Sequence, residues 1–271
     1  MLKVLSINSK CLNDSRTVRV YTPDDYGEKE KSYPVVYMHD GQNVFRDQSA
    51  IGGISLNLEH FLDRNKLEVI VVGIDSKPGE QRKVEYCPWE NGEYSRNMMK
   101  DESRIGGGGK QYIEFVVQEL KPYIDQNYHT QPDQSAMAGI SLGGLISTYA
   151  MCKYPSLFKR AAAISSAFFR NQEEMEQLAH RADLSSVERF YVDCGTLEAG
   201  SDEETINQGF IESNQRIYDI VKHKIKPSKF KIIDGGEHNY THFRRRVPEF
   251  FPFLIEGWKS RTSTSKKGEA F

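Results

Sequence analysis

The stretch Gly139-Ile140-Ser141-Leu142-Gly143-Gly144 follows the apolar run Ala136-Met137-Ala138 and leads into a helix-like segment. A serine at a sharp strand-to-helix turn is forced into a strained backbone conformation, and glycines two residues to either side let the chain pass without a Cβ clash. The first N–H of the following helix, that of Leu142, has no partner within the helix and is placed to hold a developing oxyanion. This is the chemistry of acyl transfer at serine. A hydroxyl is a poor nucleophile at neutral pH and needs a base. His238 lies in the glycine-bearing loop Asp234-Gly235-Gly236-Glu237-His238-Asn239, and His242 follows four residues later, where a helix is expected to begin. The loop position favours His238 as base and leaves His242 a helix-capping or solvated role. His39 as base would invert the chain order of nucleophile, acid and histidine. For the acid, Asp193 ends the run Phe190-Tyr191-Val192, Glu198 sits beyond a glycine turn on a loop able to reach the histidine, and Asp202 lies further out. Glu198 is favoured over Asp193 and Asp202. The second oxyanion donor is assigned to the backbone N–H of Gln42, in the loop that follows Val35–His39, where Gly41 permits a tight turn.

Other constellations carry less. His238 and His242 have the spacing H-x-x-x-H but neither the HExxH order nor an obvious third ligand, so no metal is expected. Gly106 to Gly109 precede Lys110 as in a phosphate loop, but Gln111 stands where Ser or Thr is required and no strand comes before. Arg244-Arg245-Arg246 reads as the solvated face of the last helix, with anion binding near the site's rim as the sharper alternative.

Eight segments read as strands: Leu2–Asn8, Thr17–Thr22, Val35–His39, Val69–Ile74, Ser135–Gly139, Ala161–Ser165, Arg189–Asp193 and Lys229–Ile233. Helical patterns cover Tyr112–Tyr128, Leu142–Tyr154, Glu173–Arg181 and Asn207–His223. The alternation implies a mainly parallel sheet covered on both faces, with an antiparallel start because no helix separates the first two strands. From about Lys77 to Gly109 neither period is visible, and the segment reads as a long functional loop. Its aromatics suggest a substrate wall, with Arg82, Tyr86 and Trp89 as candidate substrate-binding residues. Residues 1–258 form a single domain in this reading, and 259–271 a polar tail outside the core.

The 271 residues suit one large domain, and 38 acidic against 36 basic residues give a net charge of −2. No global field therefore favours nucleic acid or an anionic membrane. No apolar run approaches the roughly 20 residues needed to span a bilayer, and the start, Met1-Leu2-Lys3-Val4-Leu5-Ser6-Ile7-Asn8, turns polar too soon for a signal peptide. Cys11, Cys87, Cys152 and Cys194 lack CxxC spacing and read as free thiols. A cytoplasmic protein acting on a small molecule without a cofactor is expected, its oligomeric state left open.

The chain resembles the esterase D-like branch of the α/β-hydrolases, which includes siderophore esterases, feruloyl esterases and mycolyl transferases. The resemblance spans roughly residues 15 to 258. It rests on Val35-Val36-Tyr37-Met38-His39-Asp40-Gly41-Gln42-Asn43-Val44-Phe45, on Val72-Gly73-Ile74-Asp75, and on Arg82 with Glu85-Tyr86-Cys87-Pro88-Trp89. Glu119-Leu120-Lys121-Pro122-Tyr123-Ile124-Asp125, the Ser141 turn and Gly236-Glu237-His238-Asn239 complete it. The resemblance implies an α/β-hydrolase fold with an eight-stranded sheet. It also implies carboxylic-ester hydrolysis with Ser141 as nucleophile, His238 as base, the position of Glu198 as acid and the amides of Gln42 and Leu142 as oxyanion donors. Relatives often carry Asp where this chain has Glu198. The alternatives are an acyltransferase using the same residues, in which an alcohol replaces water, and a binding module that kept the fold and lost activity.

Overall fold

The computed structural model describes residues 1–27 and 31–262. In chain order the strands are β1 Leu2–Ser9, β2 Asp14–Tyr21, β3 Lys31–His39, β4 Ile70–Ile74, β5 Thr130–Ile140, β6 Arg160–Ile164, β7 Arg189–Leu197, β8 Ser228–Glu237 and a short β9 at Arg261–Thr262. The helices are α1 Leu58–Arg64, α2 Glu80–Tyr86, α3 Glu93–Met99, α4 Gly109–Phe115, α5 Lys121–Asn127, α6 Leu142–Lys153, α7 Gln172–Arg181, α8 Glu204–Val221 and α9 Tyr240–Ile255. A single π turn, Val116–Leu120, joins α4 to α5, so the helical pattern expected over Tyr112–Tyr128 is one continuous rod.

The sheet runs β1-β2-β4-β3-β5-β6-β7-β8, with β9 paired to the outer end of β3. β1 is antiparallel to β2 and β2 to β4, and every later pair in the order is parallel. The antiparallel start and parallel body follow the sequence reading. The alternation of side chains along a strand divides the interior in two. On β3, Val35 and Tyr37 join the core beneath α4, α6, α7 and α8, whereas Val36 and Met38 join the core beneath α1 and α9. α6 is buried on nearly every side, from Leu142 through Cys152, as expected of a helix that is apolar all round.

The segment from Lys77 to Gly109 is not a structureless loop. It contains α2 and α3, and Glu90 bridges Gly106. Two helices of seven residues, polar on most positions, are too short for a hydrophobic period to emerge from the sequence. The glycine run serves packing. A Cβ on Gly106 would lie 2.1 Å from the carbonyl oxygen of Trp89, and one on Gly109 would lie 2.6 Å from the nitrogen of Pro88. The N–H groups of Gly107, Gly108 and Gly109 donate to the carbonyls of Cys87, Val84 and Cys87, which leaves none of the three to cradle a phosphate. The tail expected outside the core pairs with β3 through Arg261–Thr262, and residues 263–271 lie outside the described residues.

Candidate active site

Ser141 stands between β5 and α6 with φ 60° and ψ −121°, a strained backbone for a residue with a side chain. Its N–H donates to Ile164 and its carbonyl accepts from Gly144 and Ala167, so β6 and the first turn of α6 hold the strain in place. The flanking glycines are required by space. A Cβ on Gly139 would meet the Gly143 carbonyl at 2.4 Å, and one on Gly144 would lie 2.9 Å from Cβ of Ser166.

Glu198 and His238 are brought together by strand register. In the parallel β7–β8 ladder Leu197 lies opposite Glu237, so the next residue of each strand emerges beside the other at the carboxyl end of the sheet. The ladder is irregular between Gly195 and Leu197, where Gly195 passes so close to Gly236 that a Cβ would lie 2.1 Å from its carbonyl oxygen. Nδ1 of His238 donates to Oε2 of Glu198 at 2.6 Å. The imidazole is also held by ring contacts, 5.6 Å from Phe210 and edge-on to Phe243 at 5.2 Å. The side chain of Glu198 is fully buried. Burial alone would raise its carboxyl, but the hydrogen bond and charge of His238, with donors from Ser165 and the Gly195 N–H, hold it below the ordinary carboxylate value.

The other acids lie elsewhere. Asp193 is buried on β7 and paired with Arg246 at 2.9 Å, and burial pushes its carboxyl up to about 6 against the pull of that arginine. Asp202 is exposed in the turn before α8 and accepts from Ser201. His242 sits in the first turn of α9, where its N–H donates to the Asn239 side chain capping that helix. His39 is buried behind the site, with Nδ1 hydrogen-bonded to the Tyr112 hydroxyl at 2.8 Å, and desolvation pushes its imidazole down to about 3.

Gln42 lies in a buried turn, Gly41–Asn43, whose geometry is imposed from three sides. Asp40, with φ 57°, accepts two hydrogen bonds of 2.7 Å from Arg82, and its N–H donates to the Tyr86 hydroxyl at 3.1 Å. Gly41 lies against Gly73 of β4, where a Cβ would be 2.5 Å from the carbonyl carbon. The Gln42 side chain is tied to Ser76 through Nε2 at 2.8 Å and Oε1 at 3.0 Å. Among the described residues the backbone N–H groups of Gln42 and Leu142 donate to no protein acceptor.

A cavity of about 240 Å³ is lined by Asp40, Gln42, Ser141, His238, Tyr240 and Phe243, among others. The segment expected to supply an aromatic wall contributes Lys77, Pro78, Gly79 and Arg82 instead. Tyr86 is fully buried beneath Asp40. Trp89 packs edge-on against Tyr149 with Lys110 over its ring. Neither lines the cavity: Tyr86, the last residue of α2, and Trp89, just beyond it, gain more from packing against the core than from exposure at an open mouth. Asn43, Ser76 and Tyr240 also face the cavity and were not singled out from sequence. The Asn43–Tyr240 hydrogen bond of 3.1 Å joins turns almost two hundred residues apart, which no local pattern announces. Among the described residues no cluster of three His, Cys, Asp or Glu side chains is arranged to hold a metal ion.

A mainly parallel sheet covered on both faces, with a strained serine after the central β5 and a histidine following the last parallel strand, is an α/β-hydrolase. Residues 9–254 match the model of the Esterase family, described as "Putative esterase", and the chain belongs to that family. It is an ester hydrolase of the carboxylesterase type. Protein YbbA of Bacillus subtilis (strain 168) is 28% identical over 235 residues, which cover 84% of this chain and 88% of YbbA. Among solved structures a ferulic acid esterase superposes with a TM-score of 0.68 at 20% identity, covering 94% of this chain and 97% of its own. The siderophore hydrolase EstA of Aspergillus nidulans does so with a TM-score of 0.69 at 16% identity, covering 91% and 93%. These two likenesses are of fold.

Proposed function

We propose that the chain hydrolyses small carboxylic esters through an acyl-enzyme formed on Ser141, with His238 as base and Glu198 as the acid that orients it. Oγ of Ser141 attacks the ester carbonyl carbon as its proton passes to Nε2 of His238, and the N–H groups of Gln42 and Leu142 hold the resulting oxyanion. Collapse breaks the bond to the alcohol, which leaves with the proton from His238. Water then attacks the acyl-serine, giving its proton to His238, and collapse of the second tetrahedral intermediate releases the carboxylic acid as that proton returns from His238 to Oγ of Ser141. The cycle closes with no cofactor, nucleic acid or membrane. Four free thiols accord with a reducing cytoplasm.

The observation that carries this reading is the 2.6 Å hydrogen bond from Nδ1 of His238 to a buried carboxylate, at a cavity that also holds Ser141. That bond fixes the tautomer in which Nε2 is free to take a proton. A fluorophosphonate probe is expected to label the protein at Ser141, with p-nitrophenyl esters turned over before labelling and not after. Labelling at any other residue, or turnover that survives stoichiometric labelling, would reject the reading.

Glu198→Gln is expected to lower kcat by roughly four orders of magnitude, because an amide favours the wrong imidazole tautomer. Folding should persist, since the amide oxygen can still accept from Ser165 and the Gly195 N–H. Steady-state kinetics on an activated ester, beside Asp193→Asn and Asp202→Asn, checks the assignment. A silent Glu198→Gln with a crippled Asp193→Asn would move the acid to β7.

A further inference from the structure

Arg246 departs from the sequence expectation that Arg244-Arg245-Arg246 is a solvated face. Arg244 is bound to the Ser55 carbonyl and Asp47, Arg245 is exposed, and Arg246 is 5% exposed with its guanidinium beneath the active-site acid. Nη1 of Arg246 donates to Oγ of Ser165 at 2.6 Å and to Oδ1 of Asp193 at 2.9 Å. A buried guanidinium without a carboxylate partner is costly, and Asp193 supplies one, its other oxygen accepting from the Tyr191 hydroxyl at 3.1 Å.

Ser165 is the link between this ion pair and the acid. It follows β6, is fully buried, and has φ 43°, in the left-handed region that a residue with a side chain seldom occupies. Its N–H donates to the Asp193 carbonyl at 2.9 Å. Its hydroxyl accepts from Arg246 and donates its one proton to Oε1 of Glu198, while His238 holds Oε2. Cys194, with Sγ 3.8 Å from the same Oε1, is a weak donor beside it. The three backbone and side-chain donors on Oε1 and Oε2 leave the carboxylate one orientation.

We propose that Ser165 and Arg246 are positioning residues for catalysis, forming a buried relay in which Arg246 orients the Ser165 hydroxyl and that hydroxyl fixes the carboxylate of Glu198 against His238. The inference rests on the reading of Glu198 as the acid. Charge gives the relay a second consequence. Arg246 is one cation facing two carboxylates, Asp193 and Glu198, and the second cation arrives when His238 takes the serine's proton. The group is therefore balanced in the state that catalysis must stabilise. Nothing in the sequence points to this cluster: its members come from the position just after β6, from β7, from the loop after β7 and from α9.

Ser165→Ala and Ser165→Gly test it together, with Glu198→Gln as reference, measured as kcat, KM and the pH profile of kcat/KM on an activated ester. Both remove the hydroxyl, and glycine in addition relieves the positive φ, so strain and hydrogen bonding separate. Both are expected to lose kcat roughly ten- to hundredfold, the size of one hydrogen bond to a charged group. KM should change little, and the acid limb of the profile should move to higher pH as the carboxylate loses a donor and holds the imidazolium more firmly. Wild-type kcat in Ser165→Gly overturns the proposal, including the case where Ser165→Ala alone is impaired and the defect is one of backbone strain. If the Ser165 variants are silent while Glu198→Gln is crippling, the relay fails and the acid stands. If Glu198→Gln is itself silent, the acid assignment fails and takes the relay with it. Arg246→Met alone would strand Asp193, so the arginine is examined in the paired variant Asp193→Asn/Arg246→Met. Loss of kcat of the same size supports its part in the relay, and unchanged kcat removes it.

Discussion

Ser141→Ala is expected to lower kcat/KM for an activated ester by roughly four to six orders of magnitude while leaving Tm nearly unchanged. The two halves of that result have separate physical causes. In the proposed mechanism the hydroxyl oxygen forms the acyl bond, so its removal abolishes the first chemical step. Its removal costs the fold little, because among the described residues the side-chain oxygen makes no hydrogen bond and the strained φ of 60° is the same for alanine as for serine. A surface-type change of this kind typically shifts stability by less than about 0.5 kcal/mol. The residual rate should come from binding and from the Gln42 and Leu142 N–H groups, which the substitution leaves in position. Retention of more than about a tenth of the wild-type kcat/KM would remove Ser141 as nucleophile, since loss of an essential nucleophile costs far more.

His238→Ala is expected to bring a comparable loss of activity, roughly four to six orders of magnitude, but with a fall in Tm that Ser141→Ala does not show. The difference arises from Glu198. Its carboxylate is fully buried and loses one of its donors with the imidazole, at a cost of about 1–3 kcal/mol. That corresponds to a shift of roughly 2–4 °C for each kcal/mol in a domain of this size. The pH dependence follows from the sign of the Glu198 shift. Its folded-state value is depressed, so the stability it contributes is present above the unfolded value and is lost as the pH falls through the folded one. The Tm gap between wild type and His238→Ala should therefore be largest near neutrality and narrow as the pH is lowered through the carboxylate range. His242→Ala is the control: its imidazole accepts from the Glu237 N–H at 3.3 Å and lines no part of the cavity, so most activity should remain. Thermal melts across pH, with turnover of the same ester, check both variants. Inactive His242→Ala beside active His238→Ala would exchange the two assignments.

The elements that sequence displayed best are those whose burial is complete and whose length is sufficient. β3, β4, β6 and β7 are short apolar runs because both faces of the sheet are covered, and each was legible as such. α6 and α8 carry enough turns for their patterns to register. α2 and α3 do not, and the stretch around them read as loop. The same brevity misdirected Tyr86 and Trp89 to the substrate wall, since an aromatic in an apparently irregular segment carries no mark of which way it faces. Arg246 misled for a related reason. Three consecutive arginines on a helix point in three directions about 100° apart, and sequence cannot say which of them turns inward.

The sequence by itself determined the strained turn at Ser141, because the glycines around it record a steric requirement that is local: backbone passing backbone within a few residues. It likewise carried the late histidine loop and the strand and helix order that define the sheet, since these follow from periodicity and from glycine's freedom. What only the tertiary structure decided is how distant segments meet. The contact between Glu198 and His238 rests on the β7–β8 register, in which Leu197 faces Glu237, while Asp193 is engaged by Arg246. Arg82 is likewise assigned by contact: its two hydrogen bonds to Asp40 brace the turn that carries Gln42, a job fixed by a partner forty-two residues away. Such pairings are set by the packing of whole elements, and the energy that selects them belongs to no single stretch of chain.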